Sequence, residues 1–536
     1  MMFDDCKRDL KSTWKLVREV SCTKKGQAKQ LPEYFKYSGN TLTSPQEIAE
    51  SFNKFFTEIG PKLAKEIPKS DKHFTDFLSS PNPQNFQFSE LSEMRILNFV
   101  NQMKPKSSYG NDFISNKVLK FIAPTIIQPL KHLINISLKT GYFPEDLKVA
   151  KVIPIYKDSD CHDFSNYRPI SLINSLSRLI ESIVCFQLTG FSDACDLFAT
   201  HQYGFRARHN VTHPLLHFSE KIFQALNEGK ISLAIFIDLK KAFDTVDYDI
   251  LLAKLEHYGV RNTELLWFNN YLRNRQQYIH LSSLAGQSNI TSSKLQCKCG
   301  IPQGSCLGPL LFLFFINDLT KATDFFTLLF ADDCTFQISR SNSLSVINRA
   351  NEELMKARQW FCANKLTINA NKTKYILYKD PVSHIHVNNL YIGNSSITRV
   401  GRYCAEKSVR FLGIWVDDTL SFSSHISKLK SKLVSGIYAL STSSKLVSLK
   451  VRKLIYRSLV ESHIRFASII YGASNSNLIS DIRVLQRKAI RIVAKAKYNA
   501  HTSELFKEYS FLKFDDIVHL NQTIFVRQFK NKQLPT

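Results

Sequence analysis

Asp332 and Asp333 stand side by side in the run Thr327-Leu-Leu-Phe-Ala-Asp-Asp-Cys-Thr-Phe-Gln-Ile338. Apolar residues lead into the pair and a second apolar run leaves it, which predicts strand, tight turn, strand. No other pattern constrains the chain as much, because adjacent carboxylates repel each other and packing gains nothing from them. Asp is common in turns, so a solvated Asp-Asp turn is the plain alternative. A bound divalent cation would convert the repulsion into a shared ligand set.

The run Leu233-Ala-Ile-Phe-Ile-Asp238-Leu-Lys-Lys-Ala-Phe243-Asp244 supplies a further acid, again where an apolar strand ends. Phosphoryl transfer with two metals needs oxygen ligands that bridge both ions, and carboxylates at neighbouring strand ends provide them. The protein then mainly positions metals, nucleophile and phosphates. Asp238 and Asp332 are 94 positions apart, so only the fold can join them. Between them lies Gly300-Ile-Pro-Gln-Gly304-Ser-Cys-Leu-Gly-Pro309, followed by the apolar run 310–316. This predicts a glycine-containing loop that feeds a buried helix and lets backbone approach a ligand closely.

An Asp at a strand end with an aromatic five residues on, then Gly-x-Pro-Gln-Gly, then Phe-Ala-Asp-Asp, resembles the reverse transcriptases. The flanking text resembles their non-LTR retrotransposon (LINE, Jockey-like) branch. Further matching stretches fall in order. They are Lys106-Ser-Ser-Tyr-Gly-Asn-Asp112, Ala150-Lys-Val-Ile-Pro-Ile-Tyr-Lys157, Asn166-Tyr-Arg-Pro-Ile-Ser-Leu172, Gln202-Tyr-Gly-Phe-Arg206, Asn364-Lys-Leu-Thr-Ile-Asn369 with Lys372, and Arg410-Phe-Leu-Gly-Ile414. The resemblance covers roughly residues 100 to 495.

That resemblance implies an α+β, right-hand polymerase fold with fingers, a palm built on an antiparallel sheet, and a helical thumb. The expected division is a helical N-terminal extension over 1–87, fingers over 88–235 and palm over 236–420, with the reverse transcriptase core at about 130–420. A basic helical thumb and C-terminal region takes 421–536. The implied activity is RNA-directed DNA polymerisation, extending a DNA primer on an RNA template with dNTPs. Two Mg²⁺ ions are expected on Asp238 and Asp332, with Asp333 as a third carboxylate that holds or supports them. Phe243 is similar to a steric gate that selects deoxynucleotides; its structural alternative is a core Phe beside Val246. Lys157 and Arg168 resemble the pair that neutralises the incoming triphosphate, with Lys151 competing for the lysine role. Gln303 and Gly304 resemble the loop that packs on the nascent base pair. Arg206 either touches template or braces the fingers. Lys372 resembles a proton donor to the leaving pyrophosphate, with Lys374 as competitor. Leu412 and Gly413 fall in the stretch that resembles the primer grip. Trp360 and Trp415 read as core or strand aromatics.

Composition agrees with a nucleic-acid partner. The 536 residues carry a net charge of +25 and a pI near 9.5, which points to a polyanion. Residues 421–536 hold 20 Lys or Arg against 6 Asp or Glu, so more than half of the excess sits in about a fifth of the chain. The 11 cysteines are odd in number and scattered, as in a reducing compartment. Cys297-Lys-Cys299 lacks a second pair at zinc-finger spacing and reads as strand leading into the glycine loop. The first residues are charged at once and the longest apolar run is far short of the ~20 residues a bilayer needs, so an intracellular protein of nucleus or cytoplasm, without membrane attachment, is expected. Helical spacing predicts helices over Ser12–Val20, Pro45–Phe56 and Asp481–Val493, and the breaker-rich stretch 78–84 predicts a linker. Residues 1–90 are too short for the endonuclease domain expected upstream in a complete element of this kind. Neither a zinc knuckle nor an RNase H acid set is expected. The competing functional readings are a catalytically silent nucleic-acid-binding remnant or domesticated copy, and a splicing helper akin to intron-encoded maturases.

Overall fold

The computed structural model describes Trp14 and residues 31–37, 39–284, 287–378, 389–531 and 533–534. The helix expected over Ser12–Val20 lies outside these residues, Trp14 apart. The elements that build the site are, in chain order, helix α1 (Pro45–Glu66), strands β1 (Val149–Tyr156) and β2 (Tyr167–Leu172), helix α2 (Thr212–Asn227), strands β3 (Ile231–Ile237), β4 (Gln276–Leu284) and β5 (Gln287–Thr291), and helix α3 (Gly308–Ile316). Then follow strands β6 (Phe326–Phe330) and β7 (Asp333–Arg340), helix α4 (Ser343–Ala363), strands β8 (Lys374–Tyr378), β9 (Thr398–Val400), β10 (Val409–Phe411) and β11 (Ile414–Val416), and helices α5 (Ser423–Ser443) and α6 (Ser476–Ala494).

The central sheet has the order β9-β8-β3-β7-β6 and is antiparallel except where β8 meets β9. Strand β3 lies in the middle and every one of its residues is buried. Its side chains alternate between two cores. Leu233, Ile235 and Ile237 join the core that contains α3 and α4, whereas Ala234 and Phe236 join the one that contains Leu215 and Phe218 of α2 and the apolar face of α5. A strand covered on both faces needs an apolar residue at every position, which is why this run does not alternate in sequence.

A second sheet, ordered β2-β1-β4-β5, pairs β1 with β4 in parallel. Helix α1 covers it, packing Phe52 and Phe56 with Val152, Tyr167, Ile279 and Leu281. The side chain of Asn53 donates to Ser293 O at 2.7 Å and fixes the helix on the strands. Three separate stretches of sequence therefore form one layer: α1 from the N-terminal 87 residues, β1–β2 from the middle, and β4–β5 from the stretch that carries the acids. The breaker-rich stretch 78–84 is tied down, with Asn82 N donating to His257 O at 2.9 Å, and Phe86 just beyond it is buried. Helices dominate after residue 423, and α5 packs against α6. Among the described residues no helix is long and apolar enough to cross a membrane.

Candidate active site

The Asp-Asp pair closes a two-residue hairpin. Phe330 pairs with Asp333, leaving Ala331 and Asp332 as the loop. Ala331 has φ +57°, a conformation that two-residue hairpins usually give to Gly or Asn. The loop is held from below by the segment Gln202-Tyr-Gly204. A Cβ on Gly204 would lie 2.3 Å from Ala331 N, so only glycine lets the two backbones meet. Gln202 Oε1 accepts from Gly204 N at 2.9 Å and from Ala331 N at 3.3 Å. Tyr203 N donates to Leu329 O at 2.8 Å. The sequence pattern Gln-Tyr-Gly is thus a buttress for the acid-bearing turn, a role its residue types alone did not disclose.

Strand register brings the third acid alongside. The last pair between β7 and β3 is Cys334 with Ile237, so Asp333 and Asp238 sit at adjoining strand ends. Asn369 donates its side-chain amide to Asp238 Oδ2 at 2.9 Å and its main-chain N–H to Asp238 O at 2.8 Å. Sequence reasoning missed Asn369 as a site residue; its only signal was its place at the end of the Asn-Lys-Leu-Thr-Ile-Asn stretch. The carboxyl of Asp332 is pushed up, first by burial and then by the charge of Asp238, with Arg168 and Lys157 opposing. Asp333 is pushed up to about 6, first by desolvation, then by Asp332 and Asp238, with Arg410 and Lys157 opposing. Lys157 and Arg168 therefore act on the same cluster from the β1–β2 hairpin, and both are exposed. Lys151 turns elsewhere: it is buried and its ammonium lies 4.7 Å from the Tyr109 ring centre. Lys374 is ion-paired with Glu406. Lys372 is exposed and makes no ion pair among the described residues.

A second wall is built on the turn that follows β3. The Phe243 ring stacks on Phe312 of α3, with centroids 4.6 Å apart. Gln303 donates its amide to Asp244 Oδ1 at 2.8 Å, and its carbonyl accepts from Ser171 N at 2.8 Å. Gly304 has φ +123°, and a Cβ there would lie 2.7 Å from Ser171 O. The glycine loop thus joins the β3 turn to strand β2. Arg206 works behind the Asp hairpin, where its guanidinium donates to Ala199 O at 3.2 Å and stands over the Phe198 ring. Leu412 and Gly413 form a separate two-residue hairpin loop between β10 and β11, with φ of +45° and +90°. Trp360 is buried and donates to Asp318 Oδ2 at 2.9 Å, and the Trp415 ring lies under Lys428.

Asp332 and Asp333, both raised in part by the charge of Asp238 and opposed by a lysine and two arginines, offer the hard oxygen donors that divalent cations take. This set hangs on a Phe-Ala-Asp-Asp hairpin between the edge strand β6 and its neighbour β7, beside the end of the middle strand β3. Residues 155–434 match the family described as reverse transcriptase (RNA-dependent DNA polymerase). The chain belongs to the reverse transcriptase family. Reverse transcriptases generally use divalent metal ions. The chain is 25% identical over 455 residues to the RNA-directed DNA polymerase from mobile element jockey of Drosophila melanogaster, covering 82% of this chain and 48% of that one. It is 25% identical over 523 residues to a probable RNA-directed DNA polymerase from transposon BS of the same species, covering 93% and 54%. A probable RNA-directed DNA polymerase from its transposon X-element is 24% identical over 528 residues, covering 94% and 55%. These relatives agree with the Jockey-like, non-LTR branch that the motifs resemble. The chain spans about half the length of the curated relatives it matches.

Proposed function

We propose that this chain is an RNA-directed DNA polymerase of a retrotransposon, extending a DNA primer on an RNA template. The observation that carries the reading is the meeting of Asp238, Asp332 and Asp333 at adjoining strand ends, opposite Lys157 and Arg168. In this reading the sheet that carries the acids is the palm, the β1–β2 layer the fingers, and the basic helices after residue 421 the thumb. In this reading β4 and β5, within 236–420, group with the fingers layer, and β3, which begins at Ile231, groups with the palm.

Asp238 and Asp332 would hold two Mg²⁺ ions, and Asp333 would support them. Such ions would activate the primer 3′-hydroxyl and neutralise charge on the pyrophosphate. Asn369 orients the Asp238 carboxylate, and Gln202 fixes the turn that aims Asp332. Lys157 and Arg168 bind the triphosphate, Arg by bidentate contact and Lys as a compact charge. Phe243, held against Phe312, would lie under the sugar and exclude a 2′-hydroxyl. Gln303 and Gly304 face the nascent pair. Lys372, rather than the ion-paired Lys374, donates the proton to pyrophosphate. The backbone at Leu412 and Gly413 grips the primer end, and the cations of 421–536 hold the duplex through its phosphates.

The test is primer extension on a defined RNA template with dNTPs and Mg²⁺, beside Asp332→Ala. Extension by the parent alone establishes the activity and its acid. Salt-sensitive duplex binding with no extension by either protein replaces this reading with a silent binding protein.

A further inference from the structure

We propose that Asp244 is a positioning residue that sets which end of the Gln303 amide faces the incoming nucleotide. The proposal rests on the reading of Gln303 as a nucleotide-facing residue. Its ground is geometric. Asp244 follows Phe243 on the turn after β3, and Gln303 Nε2 donates to Asp244 Oδ1 at 2.8 Å. The backbones are locked together at the same place: Gly300 N donates to Val246 O and Ile301 N to Phe243 O, both at 2.8 Å. Gln303 O accepts from Ser171 N. The loop main chain is therefore fixed on two sides, and the freedom left to Gln303 lies in its side chain, including which end of the amide meets Asp244.

An amide offers an acceptor at one end and two donors at the other, and packing hardly distinguishes them. A carboxylate accepts only. Asp244 therefore draws the NH₂ end of Gln303 inward and leaves Oε1 to point away from the turn. An asparagine of the same shape could receive either end and would leave the choice open. The arrangement is costly as well. The second oxygen of Asp244, Oδ2, is buried without a hydrogen-bond partner. Burial pushes the carboxyl up to about 6, with Gln303 and then Lys241 opposing. A buried acid with one hydrogen bond adds little to stability, and its acceptor-only chemistry is what an isosteric neutral residue could not supply. The loop that carries the nucleotide-facing amide and the turn that carries the proposed gate are thus joined by this side-chain contact as well as by their backbone bonds.

The experiment is a double-mutant cycle on dNTP incorporation with Asp244→Asn, Gln303→Met and the pair together. Asp244→Asn alone is expected to raise the dNTP KM roughly tenfold while kcat stays within about twofold, the size expected for one misdirected hydrogen bond. In the Gln303→Met background the same change is expected to move KM less than about twofold. Equal effects in both backgrounds, or an unchanged KM, would overturn the proposal. Absence of incorporation by the parent would instead remove the polymerase reading. Should Asp244→Asn not fold, Gln303→Glu carries the test, since it sets two carboxylates against each other. Its melting temperature is then expected to fall below that of Gln303→Met at pH 8, with the gap closing at pH 5; equal values at both pH would refute the contact.

Discussion

Two hairpin loops of two residues each are built on different terms. The loop Ala331-Asp332 joins β6 to β7; the loop Leu412-Gly413 joins β10 to β11. Both place a non-glycine residue at positive φ, which costs roughly 1–2 kcal/mol per residue. The first is enclosed: Gly204 lies under it, Gln202 accepts from its backbone, and the Ala331 methyl is buried. The second is more open, with Leu412 and Gly413 both partly exposed and Phe466 as the side chain that a Cβ on Gly413 would meet. The difference teaches that a loop carrying charged side chains is over-determined from behind, whereas the Leu412 loop is held chiefly by the packing of its own side chain.

The largest contrast should appear in catalysis. Asp238→Asn keeps the shape of the acid and its contact with Asn369 but removes the charge. Incorporation is expected to fall at least about 1000-fold, with duplex affinity unchanged. Gly413→Ala strains a φ of +90° and brings a Cβ to 2.9 Å from the Phe466 ring, which is partly exposed and can shift. Primer extension should fall only a few-fold there, by weaker primer affinity. A loss as large as that of Asp238→Asn would mean that the second loop takes part in chemistry.

Sequence made the first loop legible because its signal is local: apolar run, two acids, apolar run. The acids Asp238, Asp332 and Asp333, the loop at Gly300 and the buried α3 could all be read that way. The supports could not. Gln202, Asn369 and Asp244 are ordinary polar residues whose partners lie 129, 131 and 59 positions away in the chain. The N-terminal helix was legible as a helix, but its role as the cover of β1, β4 and β5 was not, because an apolar face does not name what it packs on.

The metal cluster gives an effect of intermediate size, and its sign follows from the raised carboxyls. Asp333 is pushed up to about 6, and Asp332 is raised too. The folded state therefore holds these protons more tightly than the unfolded chain, whose carboxyls titrate near 4. The stability they contribute is present at low pH and lost as pH rises through about 6. Mg²⁺, if it binds the ionised acids as proposed, should offset that loss. Melting temperatures with and without Mg²⁺ are expected to differ more at pH 7.5 than at pH 5, and Asp332→Asn should erase most of the difference. A Mg²⁺ effect that is equal at both pH values would show that the ion binds elsewhere.

The smallest effect compares the strained residues themselves. Ala331→Gly relieves roughly 1–2 kcal/mol of left-handed strain. It gives back about 0.4–1 kcal/mol through the freer unfolded chain, and about 0.8 kcal/mol with the buried methyl. Urea denaturation should find it within about 1 kcal/mol of the parent. Leu412→Gly gains the same relief but loses a side chain packed against the core of Phe218 and Phe411, so it should be less stable than Ala331→Gly by about 1–2 kcal/mol. In activity the order reverses. A glycine at 331 frees the backbone that aims Asp332, so kcat should drop several-fold, while a glycine at 412 keeps the turn and leaves kcat near the parent value. If Ala331→Gly cost no activity, Gln202 and Gly204 alone would suffice to hold the catalytic turn, and the strain at Ala331 would have no role in aiming the acids.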